Sequence, residues 1–284
     1  MSAKLKTVLI TGCSAGGIGG ALAEAFHECG YHVFATARTP SKITKSLATA
    51  PKVTVLRLDV LSSDSIREAV ESVKSQTGGK LDVLVNNSGG GLVLPALDTS
   101  IEEGKRLFDL NFWAPFAVTQ AFAPLLIDAK GCLVNNASIS GAIPMLYNSN
   151  SQRPPRKNQL TEFVGMYSAS KAALISASET FRLELARFDV RTITLISGGV
   201  KTKFFDNNQA ARLPDGSFYE NEKEFIYGLS DGRLQASAVN SKDYAHKVVR
   251  EVEKGTSGKL WVGSGAGGAQ YAVRLLPQWI LVSD

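Results

Sequence analysis

A glycine-rich loop near the N-terminus limits the folds open to this chain more than any other feature. It follows Thr7–Ile10, a short apolar run typical of a buried strand, and precedes residues 18–26, which have a helical pattern. The loop has five glycines, at positions 12, 16, 17, 19 and 20. Glycines allow a tight turn, and the helix that follows points unpaired N–H groups at an anion. We therefore expect the loop to bind a pyrophosphate; the alternative is a flexible surface loop.

Six further apolar segments predict strands, with helical patterns between them. These segments are Tyr31–Ala37, Val53–Leu58, Leu81–Val85, Cys132–Ala137, Val190–Ile196 and Leu260–Val262. Strands that alternate with helices at this spacing form a parallel sheet. We therefore predict an α/β fold, a Rossmann-type doubly wound parallel sheet of about seven strands with helices on both faces, in one domain over residues 1–284. Residues 102–129 are predicted as one long helix that Pro115 and Pro124 kink or break.

Composition restricts the class of protein. The 284 residues are 44% hydrophobic and 20% charged, with a net charge of +5. Because no dense Lys/Arg cluster is present, we expect no nucleic-acid partner. The three scattered cysteines, Cys13, Cys29 and Cys132, fit neither a disulfide framework nor a metal site. Without a secretory signal or an apolar run of about 18 residues, the chain is predicted to be cytoplasmic and metal-free.

The residue that follows the second predicted strand indicates which dinucleotide binds. An acidic side chain there would accept a hydrogen bond from a ribose 2′-hydroxyl, whereas a cation would pair with a 2′-phosphate. This chain has Arg38 at that place. We therefore expect NADP(H) as the cofactor; the alternative is a solvated surface arginine.

Tyr167 and Lys171 lie near the start of a long helical segment that ends near Arg187. Residues four apart share one face of a helix, where the ammonium would favour ionisation of the phenol and lower its pKa. Such a pair can exchange a proton with a carbonyl or an alcohol. The spacing alone is weak support, because Tyr219 and Lys223 share it; we interpret that second pair as solvated.

Five motifs, in order along the chain, resemble the short-chain dehydrogenase/reductase family. They are Thr11-Gly12 with Gly17-Ile18-Gly19, then Asn86-Asn87-Ser88-Gly89, then Asn111, then Ser138, then Tyr167 with Lys171. The resemblance covers nearly all of residues 5–203. It implies hydride transfer between a nicotinamide cofactor and a carbonyl compound.

The resemblance also implies a role for each matching residue. Tyr167 would be the general acid of reduction, Lys171 would bind the nicotinamide ribose and lower the Tyr167 pKa, and Ser138 would hydrogen-bond the substrate carbonyl and its developing oxyanion. Asn111 would hold a water that links Lys171 to solvent. The cofactor would further contact Gly12, Ser14, Gly17, Ile18, Gly19, Arg38, Asp59, Val60, Asn87, Val200 and Thr202.

Within the family, three stretches are similar to fungal NADPH-dependent 1-acyldihydroxyacetone-phosphate reductases. These are residues 34–38, 198–202 and 276–279. The resemblance implies reduction of a ketone or aldehyde on a partly apolar substrate, either an acyl lipid intermediate or a specialised metabolite. The alternative is a dinucleotide-binding protein that uses the same pocket for non-redox chemistry or sensing.

Three features depart from the family pattern. The glycine loop has one residue more than usual, so either Gly16 or Gly17 takes the middle position, and Ser88 replaces the usual alanine. A long loop, residues 139–166, separates Ser138 from Tyr167, and its polar part at 145–163 reads as an insertion. The insertion is either a lid over the substrate, with basic residues meeting an acidic group, or a disordered surface loop. These basic residues are Arg153, Arg156 and Lys157.

The C-terminal third is the least constrained by motifs. Residues 204–240 occupy the place where the family builds its substrate lobe, and four apolar or aromatic residues there either line the pocket or simply pack. These are Tyr219, Phe225, Ile226 and Tyr227. The apolar segment 271–282 is expected to pack in the protein or on a partner subunit, or else to contact a membrane surface. We leave open a monomer or a homo-oligomer, because the insertion could block the family's usual helix pairing.

Overall fold

The protein is described here from a computed structural model, which covers residues 5–143, 164–207, 210–232 and 238–275. Nine strands are found in these ranges: β1 Thr7–Ile10, β2 His32–Ala37, β3 Val53–Arg57, β4 Val83–Asn86, β5 Cys132–Asn136, β6 Arg191–Ser197, β7 Val200–Lys201, β8 Val239–Asn240 and β9 Gly258–Val262. The α-helices in the same ranges are α1 Ile18–Glu28, α2 Lys45–Ala48, α3 Ser63–Thr77, α4 Ile101–Phe108, α5 Ala114–Ala129, α6 Gly165–Leu185, α7 Lys223–Ser230, α8 Ser241–Glu253 and α9 Ala266–Leu275.

Seven of the strands form one parallel sheet in the order β3-β2-β1-β4-β5-β6-β9. The chain first builds the sheet outward from β1 through β2 to β3 and then returns to add β4 on the other side of β1. This reversal places a crevice between β1 and β4 at the carboxyl edge of the strands, where ligands bind in open α/β sheets. The predicted fold, a doubly wound parallel sheet of seven strands, is confirmed.

Alternating residues of the strands supply two separate cores. On one face, Val8 and Ile10 of β1 pack with residues of α1 and α8, including the fully buried Phe26 and Val248. On the other face, Leu9 and its neighbours pack with α3, α5 and the end of α6. Because both faces are covered by helices, the strands are apolar throughout rather than alternating, as expected for a parallel sheet.

The predicted long helix is present, but its irregularity lies at one proline only. Between α4 and α5 the chain makes a five-residue π-helical turn, Asp109–Trp113. Pro115 lacks the N–H that would bond the carbonyl of Asn111, which favours such a turn just before it. The helix then continues through Pro124, so the predicted break there is wrong.

This helical run, Ile101–Ala129, is long and apolar enough by composition to span a membrane. Several of its apolar side chains, however, are core residues: Val118, Phe122 and Leu126 are fully buried against the sheet, whereas Ile101 and Trp113 are exposed. Burial of this kind is typical of a core helix, so packing explains the apolar composition of this part of the run.

Candidate active site

A cleft of about 560 Å³ lies over the carboxyl edge of the sheet at the crevice between β1 and β4. Almost all of the site residues predicted from the sequence line it. These are Gly12, Ser14, Gly17, Ile18, Arg38, Asp59, Val60, Asn87, Ser138, Tyr167, Lys171, Val200 and Thr202. The two exceptions, Gly19 and Asn111, are buried just behind its wall. Residues from positions 12 to 202 are therefore brought to one surface by the parallel topology.

The glycine loop turns sharply at two residues in the left-handed region. Gly12 and Gly16 both have φ of +76°, which glycine adopts without strain. Gly17 has extended backbone, caps the N-terminus of α1 and lines the cleft, whereas Gly16 faces the side chain of Lys203. Gly17 therefore takes the middle position left open by the sequence, and Gly16 is the additional residue.

Gly19 is required by a close approach of backbone to backbone. A Cβ at this position would lie 2.4 Å from the carbonyl oxygen of Gly12 and 2.5 Å from Nδ2 of Asn87. Only a hydrogen leaves room for the first turn of α1 to pack against the loop. The start of the helix is therefore held directly beneath the loop's backbone.

The loop and its surroundings fit a dinucleotide. The N-terminus of α1 has no side-chain cap, so its first N–H groups are not satisfied by a capping side chain and can meet an anion. At one end of the cleft, Arg38 and Lys42 are both exposed and line it together. Lys42 was missed from the sequence because no motif marks it. It ends a 3₁₀ helix, Pro40–Lys42, and its carbonyl accepts a hydrogen bond from the N–H of Ala15, which joins it to the glycine loop.

Lys171 is buried at the centre of the cleft. Its Nζ donates to the backbone carbonyl of Asn136 at 2.9 Å and lies 5.8 Å from the centre of the Tyr167 ring. Burial penalises the ammonium and lowers the pKa of Lys171 to about 8. The two side chains therefore share one face of α6, as the spacing predicts.

The Tyr167 phenol lies near the Ser138 side chain in the same cleft. Burial raises the pKa of Tyr167, and the nearby Ser138 hydroxyl opposes this rise only in part. The net shift of the Tyr167 pKa is therefore upward, not downward as predicted from its spacing to Lys171. The phenol stays protonated at neutral pH, which is the form that a general acid needs.

Ser140 is a site residue that sequence reasoning missed. Its hydroxyl donates to Oγ of Ser138 at 2.9 Å, and its backbone N–H donates to the same oxygen at 3.3 Å. With two donors on its oxygen, Ser138 keeps its own proton for another acceptor. The short turn that bears both serines is pressed onto α6 at Gly141, where a Cβ would lie 2.6 Å from the N of Ala172.

Asn111 holds the wall behind the candidate catalytic residues. Its Nδ2 donates to the carbonyl of Gly90 and to Oγ of Ser170, each at 3.0 Å, and its Oδ1 accepts from the N–H of Gly90 at 2.9 Å. A Cβ built on Gly89 would lie 3.1 Å from Oδ1 of Asn111 and 3.4 Å from Nζ of Lys171. Asn111 and Lys171 therefore approach each other across Gly89, and the water between them stays a prediction.

The part of the cleft beyond Tyr167 is apolar. Six residues form it: Leu92, Val93, Val164, Phe204, Phe205 and Leu229. The Phe204 ring lies 6.3 Å from the Tyr167 ring, between centroids. An isolated bridge between Leu94 and Val164 joins the loop after β4 to the start of α6. A substrate carbonyl held at Ser138 and Tyr167 would thus extend into an apolar pocket.

All four pocket candidates from the substrate lobe pack elsewhere. Tyr219, Phe225 and Tyr227 surround the buried Ile226 in a small cluster of their own, and Leu229 and Val93 of that cluster reach the cleft. Lys223, the partner of Tyr219 in the second Tyr-Lys pair, bonds Glu220 at 2.7 Å. The interpretation of that pair as solvated holds for Lys223, whose ion pair is exposed, but not for Tyr219, which is half-buried in this cluster.

Two predicted features lie outside the described residues. One is the insertion at 145–163 with its basic residues. The other is the larger part of the apolar segment 271–282, of which the structure describes only residues 271–275, where Tyr271 and Leu275 are exposed. The lid, the disordered loop, the block to helix pairing and the membrane contact therefore all stay predictions.

Comparison with known proteins matches this chain to short-chain dehydrogenases. The sequence profile of a family described as short chain dehydrogenase matches residues 6–150 and 157–213. The short-chain dehydrogenase ptmH of Penicillium ochrochloron is 41% identical over 276 residues, which are 97% of this chain and 94% of that protein. The NADPH-dependent 1-acyldihydroxyacetone phosphate reductase of Schizosaccharomyces pombe is 38% identical over 225 residues, 78% of this chain and 70% of that protein.

Solved structures share the same architecture. A short-chain dehydrogenase from Streptomyces avermitilis superposes with a TM-score of 0.78 at 27% identity, covering 99% of this chain and 98% of that one. A short chain dehydrogenase from Burkholderia cenocepacia, in complex with NADP, superposes with a TM-score of 0.71 at 20% identity, covering 99% and 97%. At 20% identity, the likeness to the second structure shows only that the two chains share a fold.

Proposed function

Because this chain belongs to the short-chain dehydrogenase/reductase family, we propose that it is an NADPH-dependent carbonyl reductase that forms an alcohol from a ketone or aldehyde. The observation that supports this most directly is that Ser138, Tyr167 and the buried Lys171 line the same cleft as the glycine loop. A general acid, an oxyanion donor and a cation thus converge where the dinucleotide would end.

The roles of these three side chains follow from their protonation states. NADPH, when bound, supplies the hydride that adds to the carbonyl carbon. Ser138, whose oxygen is occupied by donors from Ser140, donates its proton as a hydrogen bond to the carbonyl oxygen. Tyr167, kept protonated by burial, gives its proton to that oxygen as the alcohol forms. Lys171 lies next to the phenol and is placed to hold the nicotinamide ribose and to stabilise the phenolate that remains.

The preference for NADPH over NADH rests on charge at the far end of the cleft. Arg38 and Lys42 line this end together, and Asp59 is the one carboxylate among the described lining residues. Two cations would pair with a 2′-phosphate, whereas a carboxylate directly after β2 would repel it. The relative from Schizosaccharomyces pombe is named for NADPH, which agrees with this preference.

The apolar pocket beyond Tyr167 favours a partly apolar substrate. An acyl lipid intermediate fits this chemistry, and the same relative is named for an acyl-dihydroxyacetone phosphate. A specialised metabolite with an apolar ring would fit the same wall of Phe204, Phe205 and Leu229. The basic insertion would then decide between a phosphorylated and a neutral substrate.

The test is NADPH oxidation, followed by cofactor absorbance, with a panel of apolar ketones and acyl-dihydroxyacetone phosphates. Tyr167→Phe removes the proposed acid, and Tyr219→Phe is the matched control because it has the same spacing to a lysine outside the cleft. We expect turnover with NADPH in the wild type and the control, and a loss of at least about a hundredfold in Tyr167→Phe. Tight NADPH binding without turnover of any compound would instead support the non-redox alternative.

A further inference from the structure

A chain of buried hydrogen bonds runs from α8 to the glycine loop beneath the cleft. The Tyr244 hydroxyl is 2.6 Å from Oγ of Ser197, and this Oγ donates to Oδ1 of Asn136 at 2.7 Å. Nδ2 of Asn136 donates to Oδ1 of Asn87 at 3.0 Å. Nδ2 of Asn87 then donates to the carbonyl of Thr11 at 2.9 Å. The chain thus connects five residues from four strand ends and one helix.

All the hydrogen bonds in this chain point in the same direction. Ser197 has a single hydroxyl proton and gives it to Asn136, so the Tyr244 hydroxyl must be the donor to Ser197. Burial raises the pKa of Tyr244, so its proton is retained at all ordinary pH values. Each amide accepts on one side and donates on the other, which fixes which way the two asparagines face. Hydrogen bonds aligned in this way strengthen one another.

The far end of the chain lies between the glycine loop and α1. Nδ2 of Asn87 is also 3.3 Å from the carbonyl of Gly12 and lies against the face of Gly19. The side-chain amide of Asn87 therefore binds the inward-facing carbonyls of the loop. The peptide planes of the loop, and with them the N–H groups available to a pyrophosphate, depend on this contact.

The middle of the chain lies at the other half of the cleft. The backbone carbonyl of Asn136 accepts from Nζ of Lys171, while its side chain is held by Ser197 on one side and Asn87 on the other. Asn136 thus lies between the glycine loop and the lysine that would hold the nicotinamide ribose. Neither Tyr244 nor Ser197 was singled out by any motif.

We propose that Tyr244 and Ser197 are positioning residues that set the affinity for NADP(H), acting through Asn136 and Asn87 on the glycine loop. The inference rests on the proposed function, because it assumes that the cleft binds a dinucleotide. Tyr244→Phe keeps the buried ring and removes only the first donor of the chain. Ser197 then loses its donor, so its hydroxyl is less firmly oriented and its hydrogen bond to Asn136 is weakened.

The experiment measures the dissociation constant for NADPH by fluorescence titration, and thermal stability on the same samples. Tyr31→Phe is the matched control: Tyr31 is buried in the same core as Tyr244, and its hydroxyl bonds Glu253 at the opposite end of the sheet. We expect Tyr244→Phe to bind NADPH about fivefold more weakly than the wild type, and Tyr31→Phe to bind it as the wild type does, although both variants melt at lower temperature.

Ser197→Ala breaks the same hydrogen-bond chain at a second residue. Its NADPH affinity therefore tests the inference even if Tyr244→Phe folds poorly. We expect it to weaken NADPH binding by a similar factor, and the double variant to be no weaker than either single one, because both break the same chain. Unchanged NADPH affinity in Tyr244→Phe and Ser197→Ala would overturn this inference alone. A wild type that binds neither NADPH nor NADH would overturn the proposed function, and this inference with it.

Discussion

Gly19→Ala is the sharpest test of how the cofactor loop is built. The new Cβ would be 2.4 Å from the Gly12 carbonyl oxygen, about 1 Å short of ordinary contact, and 2.5 Å from Nδ2 of Asn87. Neither neighbour can yield freely. The first is backbone in a left-handed turn, and the second is held by hydrogen bonds to Thr11 and from Asn136.

The expected magnitude combines two opposing effects. Alanine is favoured over glycine in a helix by up to about 1 kcal/mol. Overpacking a tight contact costs about 1–3 kcal/mol. We therefore expect Gly19→Ala to lower the free energy of unfolding by about 1 kcal/mol. Because the displaced groups are the carbonyl and amide that shape the loop, NADPH affinity should fall at least tenfold, which corresponds to about 1.4 kcal/mol.

The assay is chemical denaturation together with NADPH titration, and Gly268→Ala is the control. Gly268 lies in the first turn of α9, and a Cβ there would meet nothing within 4 Å. This control should be as stable as the wild type or more stable by a few tenths of a kcal/mol, with unchanged NADPH affinity. If Gly19→Ala behaves like Gly268→Ala in both measurements, the packing argument for the loop is refuted.

Three further predictions concern the chemistry of the cleft. Ser140→Ala should lower kcat about three- to tenfold with little change in KM, because Ser138 loses a donor and its proton is less well directed. Lys171 has a pKa lowered to about 8, so it is charged below that pH and neutral above it, and NADPH affinity should fall as the pH rises through about 8 in titrations across that range. Arg38→Leu should raise the KM for NADPH about tenfold or more and leave the KM for NADH almost unchanged, as steady-state kinetics with both cofactors would show.

Each of these has an outcome that would contradict it. A Ser140→Ala variant with a raised KM and normal kcat would place Ser140 in substrate binding instead. NADPH affinity that is flat between about pH 7 and 9 would mean that the charge of Lys171 does not contribute to binding. Equal effects of Arg38→Leu on the KM values for NADPH and NADH would show that Arg38 attracts both cofactors by its charge and does not recognise the 2′-phosphate. Lys42→Leu would then be the next variant.

Local sequence patterns were sufficient to predict much of the fold and of the candidate site. The strand ends and the loops that follow them could be located because apolar runs stop at glycines and amides, as at Asn86 and Asn136. Parallel topology then requires these loops to meet at one edge. Pro124 was misjudged because a helix buried on a sheet can accommodate a missing N–H, whereas at Pro115 the helix changes to a π turn.

The sequence by itself determined the βα unit with its glycine loop, the seven strands of the parallel sheet and the face shared by Tyr167 and Lys171, because each depends on residues close together in the chain. Only the tertiary structure decided the direction of the Tyr167 pKa shift, because burial is the sum of neighbours from many segments. The hydrogen-bond chain from Tyr244 to the glycine loop was likewise decided only by the tertiary structure. Its partners are 47, 61 and 49 residues apart, and no local pattern brings a hydroxyl on α8 to an amide at the end of β5.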